Sequence, residues 1–200
     1  MVRIRLAQEA DAEAIAGIYA PFVESAVVSF ETVPPGREET LRRIVETTAH
    51  YPWLVCELNG RVSGYAYATQ HRVRAAYRWS VDTSVYIDSA CQRRGIGRGL
   101  YASLFEILKA QGFYNAYAGI TLPNAASVGL HEAIGFTRVG VYERVGHKFG
   151  KWHDVGWWQR TLMARIDSPA EPLLLPDLLH RSDWDRLVGK GEGLVRATAS

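Results

Sequence analysis

The chain has 200 residues, 48% of them apolar and 22% charged, an ordinary globular composition that excludes a disordered chain, a collagen and a coiled coil. A chain of this length buries about 70% of its unfolded surface without covalent staples, and Cys56 and Cys91 are its only cysteines, so no disulfide framework is expected and a reducing cytoplasm fits. The net charge of +2 is too small to argue for nucleic acid, and no stretch approaches the roughly 18 apolar residues of a membrane span.

Residues 2–6 alternate apolar and basic side chains, the period of a half-buried strand, and carry no apolar run of the kind a secretory leader needs. Ala14, Ile15, Ile18, Tyr19 and Phe22 recur at helical spacing over residues 11–22. Pro34-Pro35-Gly36 breaks the chain, and Leu41, Ile44 and Val45 predict a second helix that stops before Pro52. Residues 53–58 and 61–68 read as strands joined by Asn59-Gly60, a strong hairpin signal. Residues 79–88 form a further strand, with Val81, Thr83, Val85 and Ile87 on one face and Asp82, Ser84 and Tyr86 on the other. A helix over 97–111 closes at Gly112, a short strand occupies 116–121, and a helix over 124–134 ends at Gly135. Residues 137–145 and 152–162 read as a closing pair of strands. A strand meander followed by strand–helix alternation predicts a mixed α/β sheet. The texture changes at residue 163, where Pro169, Pro172 and Pro176 crowd together. Residues 1–162 are therefore read as the folded domain. Residues 163–200 are read as an extension, either a loose tail or a short docked helix around 176–188.

The segment from Ile87 to Gly99 joins a strand to a helix and holds Gly95, Gly97 and Gly99 among Arg93, Arg94 and Arg98. Glycines allow close backbone approach to a ligand. Unpaired amides and the dipole at a helix start attract anions, and three guanidinium groups add formal charge. The combination reads as a pyrophosphate cradle. No Gly-Lys-Ser/Thr follows, so it is not a P-loop, and a dinucleotide fingerprint lacks its third spaced glycine and distal acid. The six histidines show no metal-ligand spacing, and no metal is expected.

Gln92-x-x-Gly95-x-Gly97 resembles motif A of the Gcn5-related N-acetyltransferases (GNAT). Residues 77–87 are similar to the strand before that motif in the phosphinothricin and methionine sulfoximine acetyltransferases. Pro123-Asn124-Ala125-Ala126-Ser127, the segment His131 to Phe136, and the segment Gly146 to Gly156 resemble the stretches that follow it. The resemblance spans residues 2–162. It implies a mostly antiparallel mixed sheet of about seven strands flanked by about four helices, with the coenzyme loop between the fourth strand and the third helix. It implies acetyl-CoA as donor, a small amino-acid analogue as amine acceptor, resistance to such compounds, and a homodimer that binds neither nucleic acid nor membrane.

Residue by residue, the resemblance implies that Val85, Tyr86 and Ile87 hold the pantetheine and acetyl carbonyl. Gln92, Arg93, Arg94, Gly95, Ile96, Gly97 and Arg98 would hold the diphosphate, and Asn124 and Ser127 would contact the coenzyme. Asn124 serves equally well as a helix cap. Phe30, Glu31, Arg72, Arg74 and Tyr77 match acceptor-site positions. A lysine-like amine with a pKa near 10.4 costs about 4–5 kcal/mol to deprotonate at pH 7, so a base is needed. Asp82, on the polar face of its strand, is the candidate base. Its alternative is a structural carboxylate paired with Arg78 or Arg74. His131 is the candidate acid for the leaving thiolate. A module that senses acetyl-CoA without turnover and a protein-lysine acetyltransferase are the alternative functions.

Overall fold

A computed structural model describes residues 1–197. Its seven strands are β1 (Val2–Leu6), β2 (Trp53–Leu58), β3 (Arg61–Gln70), β4 (Ser80–Ile87), β5 (Asn115–Leu122), β6 (Thr137–Lys148) and β7 (Lys151–Thr161). They form one sheet in the order β1-β2-β3-β4-β5-β7-β6. Only β4 and β5 run parallel. Helices α1 (Ala12–Glu24) and α2 (Arg37–Thr48) cover one face, while α3 (Ile96–Gln111) and α4 (Ala125–Ala133) cover the other.

The helix on each face follows from its side chains. Helix α3 brings Leu100, Leu104, Ile107 and Leu108 onto one stripe, all fully buried, each contributing about 1.5–3 kcal/mol of burial. It packs over Val81, Ala66, Ala68, Ala116 and Ala118 of the central strands. On the opposite face Ile15, Ile18, Tyr19 and Val23 of α1 cover Trp53, Val55 and Tyr65. The alternation of β4 directs Val81 and Thr83 into the α3 side and leaves Asp82, Ser84 and Tyr86 facing α1 and α2.

The Asn59-Gly60 hairpin forms with both residues at positive φ, and Leu58 pairs Arg61. Strand β6 runs three residues past the end that its sequence pattern predicts, while β7 is shifted by one residue. Phe149 and Gly150, at φ 51° and 73°, make a second two-residue turn and carry the β6–β7 pairing out to Lys148–Lys151. Helix α2 begins at Arg37, four residues before its first apolar residue. Glu38 and Glu39 in its first turn favour the positive end of its dipole.

Residues 163–197 fold back along the whole length of α3. Leu173 N–H donates to Gln111 O at 2.7 Å, at the helix C-terminus. Leu175 and Leu178 of α5 (Leu175–Leu178) and Leu187 of α6 (Trp184–Val188) are buried against the main core. Gly191 N–H donates to Ser103 Oγ at 3.0 Å, and Glu192 Oε1 accepts the N–H of Ile4 at 2.8 Å. Gly191 crosses Gly99 backbone to backbone, so a Cβ at residue 191 would collide with the Gly99 carbonyl.

Candidate active site

The two parallel strands stay paired over three positions only, Ser80–Asn115, Val81–Ala116 and Asp82–Tyr117. Thr83 Oγ1 donates to Tyr117 O at 3.0 Å and closes the apex. Past it β4 continues to Ile87 and β5 to Leu122 without a ladder between them. The resulting cleft is lined by Ser84, Val85, Tyr86, Asn124, Ser127 and His131. The edge of β4 that faces the gap keeps backbone groups available for a guest.

At one end of the cleft lies the turn into α3. Arg93 and Gly95 both adopt left-handed backbone, φ 60° and 81°. Arg93, without glycine's freedom, takes up strain that a turn of this shape imposes. The N–H groups of Gly95, Ile96, Gly97 and Arg98 meet no acceptor among the described residues, as the first turn of a helix dictates. Arg93 and Arg98 are exposed. The concave row of amides, the dipole and the guanidinium groups form an anion site.

The carbonyls behind this turn are held by the C-terminal segment. Arg196 N–H donates to Arg94 O at 2.9 Å, and its guanidinium donates to Arg93 O at 2.6 Å. Arg94 Nη1 returns a bond to Ala197 O at 3.3 Å. A Cβ at Gly95 would collide with the Leu194 carbonyl. The amides therefore face the cleft while the extension fixes their carbonyls from the rear.

At the other end, Asp82 and Tyr117 sit opposite each other at the apex. Asp82 Oδ1 lies 2.6 Å from His71 Nδ1, with side chains 28% and 11% exposed. The alternative pairing of Asp82 with Arg78 or Arg74 is not found among the described residues. Arg78 instead pairs with Glu171, and the loop after β3 brings His71 to the carboxylate. The imidazole stacks on Tyr117 at 4.2 Å between ring centroids, with Tyr77 and Trp157 edge-on at 6.1 and 6.2 Å. Burial raises the Asp82 carboxyl above its ordinary value, and the contact with His71 pulls in the opposite direction. Arg72 lies over the Trp157 ring at 5.6 Å and donates to His71 O at 2.8 Å. Arg74 is exposed on the same loop. Arg72, Tyr77 and Asp82 thus come together around His71, which no sequence motif marks, while Arg74 is brought only to the same loop.

Phe30 packs over Gly146 of β6, with its ring 6.3 Å from His153. Glu31 is fully engaged. Arg43 Nη1 and Nη2 donate to its two oxygens at 2.8 and 3.1 Å, and Tyr19 Oη adds a bond at 2.9 Å. Arg43 is the larger cause holding its carboxyl below the usual range. The segment that carries both residues is pinned by Lys148, whose ammonium donates to the carbonyls of Val23, Ala26 and Ser29 at 2.6, 2.9 and 2.7 Å.

His131 lies at the cleft wall but is buried. Its Nδ1 donates to Ser127 O at 2.7 Å, and its Nε2 bonds Tyr101 Oη at 2.9 Å. Burial lowers its pKa. Asn124 Oδ1 accepts the N–H of Ser127 at 3.1 Å and caps α4.

Residues 4–157 match the family model of the acetyltransferase (GNAT) domain. The chain belongs to the GNAT acetyltransferases. It is 41% identical over 172 residues to a phosphinothricin N-acetyltransferase of Streptomyces viridochromogenes, covering 86% of this chain and 93% of that protein. It is 38% identical over 175 residues to an L-methionine sulfoximine/L-methionine sulfone acetyltransferase of Salmonella typhimurium, covering 84% and 97%. The structure of a GNAT phosphinothricin acetyltransferase from Sinorhizobium meliloti in complex with acetyl-CoA superimposes with a TM-score of 0.81 at 35% identity. That match covers 90% of this chain and 99% of the other. The GNAT fold accounts for the splayed parallel pair and the turn at its mouth, while residues 163–197 lie beyond the stretch the family model matches.

Proposed function

We propose that this GNAT enzyme transfers the acetyl group of acetyl-CoA to the amine of a small amino-acid analogue that carries an oxidised phosphorus or sulfur group. Phosphinothricin, methionine sulfoximine and methionine sulfone are the acceptors that the named relatives support. The observation that carries this function is a splayed strand pair whose apex holds the partly buried Asp82 beside His71 and Arg72, with the amide-rich, arginine-flanked turn into α3 beyond the far end of β4. A pure acetyl-CoA sensor needs only the turn. Gln92 and the turn from Arg93 to Arg98 take the diphosphate. Val85, Tyr86 and Ile87 bond the pantetheine and direct an N–H at the thioester oxygen as it becomes an oxyanion, and Asn124 and Ser127 line the coenzyme's path. Arg72, Arg74 and Tyr77 receive the acceptor's acidic groups, an Arg fork suiting a bidentate oxyanion, and Phe30 and Glu31 wall its amine. The amine loses a proton toward Asp82, attacks the carbonyl carbon, and the tetrahedral intermediate expels the CoA thiolate. A thiol of pKa about 8.5 leaves as thiolate without an acid. His131, neutral and with both nitrogens engaged, is assigned to shaping the cleft wall rather than to protonating that thiolate. The exposed Tyr142, Val145, Phe149 and Trp152 of the β6–β7 hairpin region support a homodimer through that edge, and the two free cysteines support a cytoplasmic setting.

Thiol release on mixing acetyl-CoA with a panel of free amines tests the assignment. Release is expected with the three acceptors named above, with acetyl recovered on their amines. Acetyl-CoA binding without release for any amine would favour a sensor. The C-terminal clamp predicts a second result. Deleting residues 196–200 removes the donors to Arg93 O and Arg94 O. A charge-assisted hydrogen bond is worth about 1.5–3 kcal/mol, so the KM for acetyl-CoA is expected to rise about tenfold while the acceptor KM stays put. An unchanged KM for acetyl-CoA in steady-state kinetics would free the turn from any dependence on the tail.

A further inference from the structure

The geometry points to His71 Nε2 as the atom that first takes the acceptor's proton, with Asp82 as the residue that positions and supports the imidazole. The inference rests on the acetyl-transfer function proposed above and says where its proton goes. An ionised carboxylate only accepts hydrogen bonds, so the 2.6 Å contact between Asp82 Oδ1 and His71 Nδ1 places the imidazole proton on Nδ1. Nε2 is left with its lone pair, and no donor meets it among the described residues. Stacking on Tyr117 fixes the plane of the ring. Tyr117 is the residue opposite Asp82 at the apex, where the two parallel strands part. The imidazole thus lies against the strand position at which β4 and β5 part, immediately before Thr83 and Ser84 of the cleft wall.

The groups facing His71 from the elements around it are Asp82 from β4, Tyr117 from β5, Tyr77 from the turn before β4, and Arg72 from its own loop. Among the described residues Asp82 is the one anion in direct contact with the ring, and the Arg72 guanidinium bonds the His71 carbonyl. An imidazole is in general a stronger base than a carboxylate, so it is the better-matched acceptor for an ammonium proton. In the step itself one N–H bond of the ammonium breaks and Nε2–H forms. The freed electron pair stays on the acceptor nitrogen and attacks the thioester carbonyl. The C–S bond then breaks with its electron pair leaving on the CoA thiolate, and the nitrogen gives its second proton to solvent. The imidazolium, charge-paired with Asp82, returns the first proton to the thiolate or to solvent, so no further reactant is consumed. The arrangement follows the carboxylate–imidazole logic of the hydrolase triads with an external amine in place of a serine.

Three variants and one spectrum test this. His71→Asn keeps a donor for Asp82 but has no basic nitrogen, and His71→Gln offers the same chemistry with a longer reach. Both are expected to lose about 10²–10³-fold in kcat/KM for the acceptor, to lose the imidazole-range acid limb of the pH profile, and to bind CoA in calorimetry as the parent chain does. Added imidazole should restore part of the activity of His71→Ala. In the parent chain, nitrogen NMR should find the His71 proton on Nδ1 at neutral pH. Retention of activity within threefold in both Asn and Gln variants with the same acid limb would overturn the assignment. So would an Nε2–H tautomer, or a loss of CoA binding that parallels the loss of rate. Absence of thiol release by the parent chain with every amine would instead sink acetyl transfer itself.

Discussion

Replacing Asp82 by Asn is expected to lower kcat/KM for the acceptor by about three orders of magnitude and to leave the Kd for acetyl-CoA within about twofold. The size follows from general-base catalysis, which contributes roughly 10²–10⁴-fold. The selectivity follows from position. Asp82 sits at the apex on the face toward α1 and α2, whereas the turn proposed for the diphosphate lies past the other end of β4. An Asn amide can donate to His71 Nδ1, which would move the imidazole proton to Nε2 and leave no basic atom facing the acceptor. The pH dependence has a definite sign. The base must be unprotonated, so activity falls as pH drops through the apparent pKa of the Asp82–His71 pair. Burial raises the Asp82 carboxyl, so the acid limb stands above that of an ordinary aspartate. Initial rates measured against acceptor concentration, with calorimetry for the donor, check both halves. An Asn variant that keeps more than a tenth of the parent rate would move the base elsewhere.

Lys148→Met is expected to cost about 3 kcal/mol of stability, lowering the Tm by about 6–12 °C for a chain of this size. The ammonium of Lys148 is 5% exposed and satisfies three carbonyls, one of them in the last turn of α1. Such carbonyls have no partner within their own helix, and the positive charge complements the dipole there. Methionine fills a similar volume and supplies no donor. Three buried acceptors then go short, at about 1–3 kcal/mol for each group left unsatisfied, less what water recovers. The same bonds pin the segment that carries Val28, Phe30 and Glu31, so the acceptor KM is expected to rise with the loss of Tm. Thermal unfolding followed by circular dichroism checks the first effect, and an unchanged Tm would show that water replaces the ammonium without cost.

Local pattern carried the parts of the site that lie on regular elements. Strict alternation along β4 put Asp82 on the face opposite Val81, and the spacing of Gln92, Gly95 and Gly97 between a strand and a helix marked the anion turn. Apolar periodicity and the Asn59-Gly60 turn located most of the sheet. The remainder depends on segments distant in sequence that share no periodicity with their targets. His71 stands in a loop, 11 residues before the carboxylate it meets, and only the β3–β4 register brings the two together. Lys148 lies beyond the strand read over 137–145, and its role appears only when the turn after α1 wraps over it, 119 to 125 residues away in sequence. The Phe149-Gly150 turn carries no sequence mark because Phe is an uncommon first residue for positive φ, so the pattern of β6 stops three residues early. The docking of residues 163–197 combines buried Leu175, Leu178 and Leu187 with a close crossing of Gly191 on Gly99. Neither glycine shows that purpose in its own neighbourhood. His131 shows the reverse case. A histidine at helical spacing beside a coenzyme motif looks reactive, but the fold surrounds it and occupies both of its nitrogens.

Calorimetric titration of the intact chain with CoA, compared with pantetheine, which lacks the diphosphate, tests the coenzyme assignment on which acetyl transfer depends. Saturable heat with CoA and at least a hundredfold weaker binding of pantetheine are expected, because the amides of Gly95 to Arg98 have an anion to grip only in CoA. No heat with CoA, or equal affinity for the two compounds, would contradict the account.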